Sequence, residues 1–188
     1  MGTTIAIATG NRHKVEEINN VLRGCGYQVE PVDAPKIEIQ SDSLVEIALF
    51  AASTAYSLLR RPVIVEDAGL FIEPLNGFPG PYSAYVYKTI GINGVLRLLG
   101  SRSNRRAYFR SVIALAYRDG IVVFEAETSG EIAREPRGSQ GFGFDPIFVP
   151  EGAEKTFAEM SLEEKNTFSH RGKAAKKLCT WLKEHDIE

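Results

Sequence analysis

Cysteine, histidine and tryptophan are all scarce in this chain, with two, three and one residue respectively among 188. The two cysteines stand in unrelated contexts, Cys25 in a helix-ending loop and Cys179 on an amphipathic helix, and are expected to be free thiols in a reducing compartment. Together with three scattered histidines they give no zinc-ligand spacing. No apolar run approaches the ~18 residues that span a bilayer, and residues 3–8 start a strand at once without a signal-peptide layout. A membrane partner is therefore not expected, and the cytoplasm is the expected location. Ala6 stands where a myristoylation motif opening at Gly2 needs Ser or Thr. A net charge of −2 excludes the broadly basic surface that duplex nucleic acid or an anionic membrane requires, while leaving small phosphate ligands open. What is present, 44% apolar and 24% charged residues, is ordinary for a globular protein, and residues 1–188 are expected to form a single domain.

Chemistry concentrates first at Val63-Ile64-Val65-Glu66-Asp67-Ala68-Gly69-Leu70. Three β-branched residues without polar alternation predict a strand buried on both faces, which delivers Glu66 and Asp67 to its carboxyl end. In open α/β sheets that end borders the ligand crevice, and two carboxylates there are costly without a cation or a proton to transfer. Asp67 before Ala-Gly is equally ordinary turn chemistry. Residues 70–72 are expected to pair as another short strand.

Upstream, residues 4–8 predict a strand, followed by Thr9-Gly10-Asn11-Arg12-His13-Lys14 and a helix with Val15, Ile18, Val21 and Leu22 at helical spacing. A glycine-containing loop at a helix N-terminus with a nearby lysine offers N–H groups and positive charge to phosphate, although it fails the P-loop pattern and a plain capped helix fits as well. A second strand is expected over 27–32. Ser43 and Glu46 have capping-box spacing ahead of a helix with Leu44, Ala48, Ala51, Ala55, Leu58 and Leu59 as its apolar stripe, so Glu46 reads as a cap before a catalyst. Glu38, between two isoleucines, is a solvent-facing glutamate or a site residue.

Downstream, two glycines and two prolines in residues 76–83 predict a fixed turn, then helices near 82–85 and 95–99. Residues 107–117 and 121–128 predict a long hairpin turning at Arg118-Asp119-Gly120. In Gly141-Phe142-Gly143-Phe144-Asp145 the glycines let the backbone approach a flat ligand, the rings can stack on a base and Asp145 can accept from it, although aromatic residues entering a strand are commonly core. His170 and Arg171 fall in the first turn of the last helix, where the dipole opposes positive charge, so an anionic or acceptor-rich partner is the better explanation. These elements predict an α/β fold: an elongated mixed β-sheet with flanking helices and two lobes around a central cleft.

Five stretches together resemble the inosine triphosphate pyrophosphatase family: Thr9-Gly10-Asn11-x-x-Lys14, residues 66–70, Gly77-x-Pro79-Gly80-x-Tyr82-Ser83, residues 142–146, and Glu164-Lys165-Asn166 with Ser169-His170-Arg171. The resemblance implies hydrolysis of non-standard purine nucleoside triphosphates (ITP, dITP, XTP) to the monophosphate and pyrophosphate. It implies a phosphate grip from Thr9, Gly10, Asn11 and Lys14, with backbone contact at Ala68. Asp67 would be general base and metal ligand, with Mg²⁺ shared by Glu38 and with Glu66 and Glu46 as further metal candidates. Phe142, Gly143, Phe144 and Asp145 would hold the base, Lys165 a phosphate, and His170 with Arg171 the purine 6-oxo edge. The family is usually homodimeric, and residues 79–87 are the expected part of the interface. A pyrophosphatase for modified pyrimidine nucleotides and a nucleotide sensor without turnover are the rival readings. The chain departs from the bacterial pattern at Ala51, where a phosphate-facing lysine is expected, at Ala68 in place of Ser or Thr, and at Phe144 in place of Tyr or Trp.

Overall fold

Residues 63–72 form one uninterrupted strand, and every other element is arranged on it. The computed structural model describes residues 3–34 and 37–187. In chain order the elements are β1 (Thr3–Ile7), α1 (Arg12–Leu22), β2 (Tyr27–Pro31), α2 (Leu44–Leu59), β3 (Val63–Ile72), β4 (Pro79–Gly80), α3 (Ser83–Thr89), α4 (Gly91–Leu99), β5 (Arg106–Tyr117), β6 (Gly120–Ile132), β7 (Phe148–Pro150), α5 (Leu162–Phe168) and α6 (His170–Leu182). The sheet runs β2-β1-β3-β5-β6-β7, with β4 attached to β3. β1 pairs parallel with β2 and β3, whereas β3, β5, β6 and β7 are successively antiparallel. The expected mixed α/β sheet with flanking helices is borne out.

The β3 expectation needs correction. Residues 70–72 continue the same strand, so Glu66 and Asp67 lie in its middle rather than at its carboxyl end. The reason is pairing: β5 runs beside β3 over its whole length, from Val63↔Ala116 to Ile72↔Ala107, and stabilises the polar stretch as strand. Alternation along the strand then sends the two carboxylates to opposite faces. Ile64 joins the apolar cluster with Ile18, Ile113, Ala174 and Leu178 beneath α1 and α6, and Glu66 shares that face. Val63 and Val65 pack with Ala48, Ala51, Ala52 and Ala55 of α2, and Asp67 shares that one; Leu58, expected in the same stripe, is instead exposed, and Leu59 beside it takes the inward side. A third cluster, with Leu70, Ile72, Val86, Val95, Phe109, Phe144 and Phe148, fills the other end of the long strands under α3 and α4. The two lobes are these two ends of β3, β5 and β6.

The cysteines are also corrected. Cys25 and Cys179, 154 residues apart, are joined in a disulfide because the end of α1 packs along α6 and brings their Cα atoms to 6.1 Å. No helix among the described residues is long and apolar enough to cross a membrane.

Candidate active site

The site begins with a gap in the sheet. β1 accompanies β3 only at Ala6↔Val63 and Ile7↔Ile64, and β4 rejoins the same edge at Leu70↔Gly80. Residues 65–69 thus have an edge without a strand partner, bordered by the loop that leaves the carboxyl end of parallel β1, as the crevice rule for α/β sheets expects. Lys14 Nζ bridges into this gap by donating to the Glu66 carbonyl at 3.2 Å. At the far end Ser83 Oγ donates to the Gly80 carbonyl at 2.7 Å and accepts from Leu70 N at 2.8 Å, which pins α3 to the strand. Gly69 is required here, since a Cβ would stand 2.4 Å from the Gly80 carbonyl oxygen. A cleft of about 510 Å³ opens on this edge, floored by Asp67, Ala68 and Phe109 and walled by Asn11 and Lys14, by Tyr87 and Lys88 of α3, and by the 141–145 loop.

Asn11 is the N-cap of α1: its side chain accepts from the backbone N–H of His13 and Lys14. Thr9 Oγ1 accepts from Asn11 N at 3.2 Å, so Thr9 and Gly10 shape the loop while Asn11 and Lys14 face the cleft. Asp67 and Glu38 both line the cleft, from β3 and from the connection before α2. Glu46 does not join them. It is exposed on α2, its backbone N–H donates to Ser43 Oγ at 3.3 Å and its Oε2 accepts from Ser41 Oγ at 2.7 Å, so only half of the expected capping box forms.

Beneath the cleft lies a buried chain of alternating charge. Glu66, fully buried, is 2.8 Å from Lys14 Nζ through Oε2, and its Oε1 accepts from Ser111 Oγ at 2.7 Å and Arg171 Nε at 2.9 Å. Arg171 continues to Glu17 Oε2 at 2.6 Å, and Lys165 joins Glu17 Oε1 to Asp145 Oδ2, each at 2.6 Å. Three cations therefore balance three carboxylates, all of them buried except Lys14, which reaches in from the cleft wall, and that balance is the condition for burying any of them. Burial alone would raise the Glu66 carboxyl, but the charges of Arg171 and Lys14 and its hydrogen bonds outweigh that and hold it well below the ordinary carboxylate value. Glu17 is lowered by Arg171 and Lys165 against the same burial. Asp145 is raised, because its burial and the Glu17 charge outweigh the opposing Lys165 charge and the hydrogen bonds from Lys165 and the Phe142 backbone. This arrangement accounts for Glu66 as an anchor for Lys14 and Arg171, and Lys165 as an internal bridge that does not face the cleft.

At the other end the cleft is aromatic. The His170 ring stacks on Phe109 with centroids 4.6 Å apart and planes within 8°. Burial and the neighbouring Arg171 charge push its pKa well below that of a free imidazole, so it is neutral, and its buried Nδ1 has no hydrogen-bond partner among the described residues. Phe142 lies against His13 at 5.3 Å and beneath the Arg171 guanidinium at 5.3 Å. Asp145 Oδ2 accepts from Phe142 N at 2.9 Å, a turn that needs Gly141, whose Cβ would fall 2.1 Å from that oxygen. Phe144, although it borders the cleft, is a core residue set edge-on to Tyr87 at 5.5 Å.

Four residues of the cleft and of the network beneath it were not read from sequence: Glu17, Ser111, Phe109 and Lys88. Glu17 alone left a signal, as a carboxylate beside Ile18 and one helical turn after Lys14 on the inward face of α1.

The sequence profile of the Ham1 family matches residues 5–181. The dITP/XTP pyrophosphatase of Hyperthermus butylicus is 62% identical over 181 residues, covering 96% of this chain and 95% of that one. The dITP/XTP pyrophosphatase of Methanopyrus kandleri is 52% identical over 180 residues, covering 95% and 96%. Among solved structures, a HAM1 protein from Coxiella burnetii superposes with a TM-score of 0.85 at 35% identity, over 97% of this chain and all of that one. The Ham1 protein of Staphylococcus aureus gives 0.84 at 33%, over 98% and 100%. The motif-level resemblance is thus borne out over almost the whole length, and the chain belongs to the Ham1 family.

Proposed function

We propose that this chain hydrolyses non-standard purine nucleoside triphosphates, dITP, ITP and XTP, to the monophosphate and pyrophosphate. The observation that carries the reading is one cleft that brings Glu38 and Asp67 together with a capped helix N-terminus bearing Lys14 and an aromatic end backed by the neutral His170. The backbone N–H groups at the start of α1 and the ammonium of Lys14 suit the phosphates. Asp67 accepts the proton of a water that attacks the α-phosphorus, and pyrophosphate departs on the opposite side. Glu38 and Asp67 bring carboxylate oxygens to the cleft, and no cysteine lines it, the two being joined to each other. Such donors fit a hard divalent cation, so Glu38 and Asp67 would hold Mg²⁺, which when bound withdraws charge from the phosphates.

The base is selected by its edge. A 6-oxo purine presents an acceptor to N–H donors at His170 and Arg171, whereas adenine presents an amino group there and leaves donor facing donor. Incubation with Mg²⁺ and a panel of dITP, ITP, XTP, GTP, ATP and UTP tests this. The expected result is pyrophosphate release from dITP, ITP and XTP, with ATP turned over at least 100-fold less efficiently. Preferred turnover of UTP would favour a pyrimidine pyrophosphatase, and binding without turnover a sensor.

The proposed oligomer is a homodimer, supported by the exposed apolar side chains Phe78, Tyr82, Tyr85, Ile90 and Leu98 around α3 and α4. The proposed location is the cytoplasm. The Cys25–Cys179 bridge does not oppose it, because intracellular proteins of hyperthermophilic archaea and bacteria keep disulfides.

A further inference from the structure

The cleft presents a charge problem that the buried network does not solve. Lys14 is held by Glu66, Arg171 by Glu66 and Glu17, and Lys165 by Glu17 and Asp145, so these three cations are matched by three carboxylates and bring no net charge to a triphosphate. His170 is neutral. The α1 N-terminus adds only about half a positive charge. No help comes from α2, which has neither lysine nor arginine, and Ala51 is fully buried against the sheet, where it packs among other alanines. One cation remains among the described residues of the cleft wall. Lys88, in the last turn of α3, is exposed, lines the same cleft as Asp67 and Glu38, and makes no ion pair within the described protein.

We propose that Lys88 is a triphosphate-binding residue, supplying from the α3 wall the positive charge that α2 lacks. The proposal rests on the pyrophosphatase reading above. Its chemistry is that of a mobile ammonium with three donors, matched to non-bridging phosphate oxygens. Its position is fixed because α3 is pinned to β3 through Ser83. A lysine at a helix C-terminus is also favoured by the helix dipole, and a purely structural role of that kind would leave phosphate affinity unchanged.

Three proteins separate these roles: the parent, Lys88→Met and Lys88→Arg, assayed in Mg²⁺ buffer for dITP turnover and for competitive inhibition by inorganic tripolyphosphate, which carries no base. Losing one charged hydrogen-bond donor to phosphate should raise both the KM for dITP and the inhibition constant of tripolyphosphate roughly 10–100-fold in Lys88→Met. The salt dependence of KM should flatten with it, and Lys88→Arg should restore both values to within a few-fold. Unchanged constants in Lys88→Met, with the parent active, would overturn the role of Lys88 and leave the function standing. Losses that follow a lowered melting temperature and are not restored by arginine would overturn it as well. A parent that does not cleave dITP would overturn both.

Discussion

Asp67→Asn is expected to leave a folded protein whose turnover of dITP falls by about 10²–10⁴-fold, the range lost with a general base. Asparagine has the shape of aspartate and satisfies the same strand position, but it cannot accept a proton. The position tolerates the change structurally: Asp67 lies within β3 opposite Val112 and is only 8% exposed, so its backbone is fixed by the β5 ladder whatever the side chain's charge. The check pairs kcat with a urea midpoint. An inactive variant of parental stability is the expected pair of results; a variant of unchanged kcat would remove Asp67 from the chemistry.

The adjacent carboxylate should behave in the opposite way. Glu66→Gln removes the charge that Lys14 and Arg171 share while leaving both in place, and breaking a buried ion pair on one side costs about 3–5 kcal/mol. For a chain of this size that is a fall in melting temperature of roughly 10 °C or more. Retained parental stability would show that the buried chain is not the anchor described. The same network sets the acid limit. Glu66 and Glu17 have lowered folded-state pKa values, so their stabilisation is fully present above the unfolded carboxyl value of 4.5 and is lost as pH falls from there toward the folded values. His170 is lowered too, so the unfolded chain takes up its proton first and stability should begin to decline below about 6.5. Stability should therefore be level above neutrality and fall in two stages. In His170→Phe, the upper stage should disappear.

That two neighbours differ so much was within reach of the sequence, since any strand sends residues 66 and 67 to opposite faces. It was obscured because the run was read as ending at the carboxylates, whereas pairing with β5, 35 to 53 residues further along the chain, carries it to Ile72. Local signals were legible, namely the capped start of α1, the Ser43 cap of α2 and the hairpin at residues 118–120, whereas Glu38, which lines the same cleft as Asp67, was singled out through the family resemblance. What was not legible depends on α1 meeting α5 and α6. Glu17 and Lys165 are 148 positions apart and Cys25 and Cys179 are 154, and no periodicity within either segment encodes the partner in the other. The two rings of the 142–145 segment were equivalent as sequence, and only packing against Tyr87 turns Phe144 into core and leaves Phe142 at the cleft.

The central claim is attack of an Asp67-activated water at the α-phosphorus, and isotope placement tests it most directly. When dITP is hydrolysed in ¹⁸O-labelled water and the products are resolved by mass spectrometry, the label should appear in the deoxyinosine monophosphate and not in the pyrophosphate. Label in pyrophosphate, or in released orthophosphate, would place the attack at another phosphorus and contradict the account.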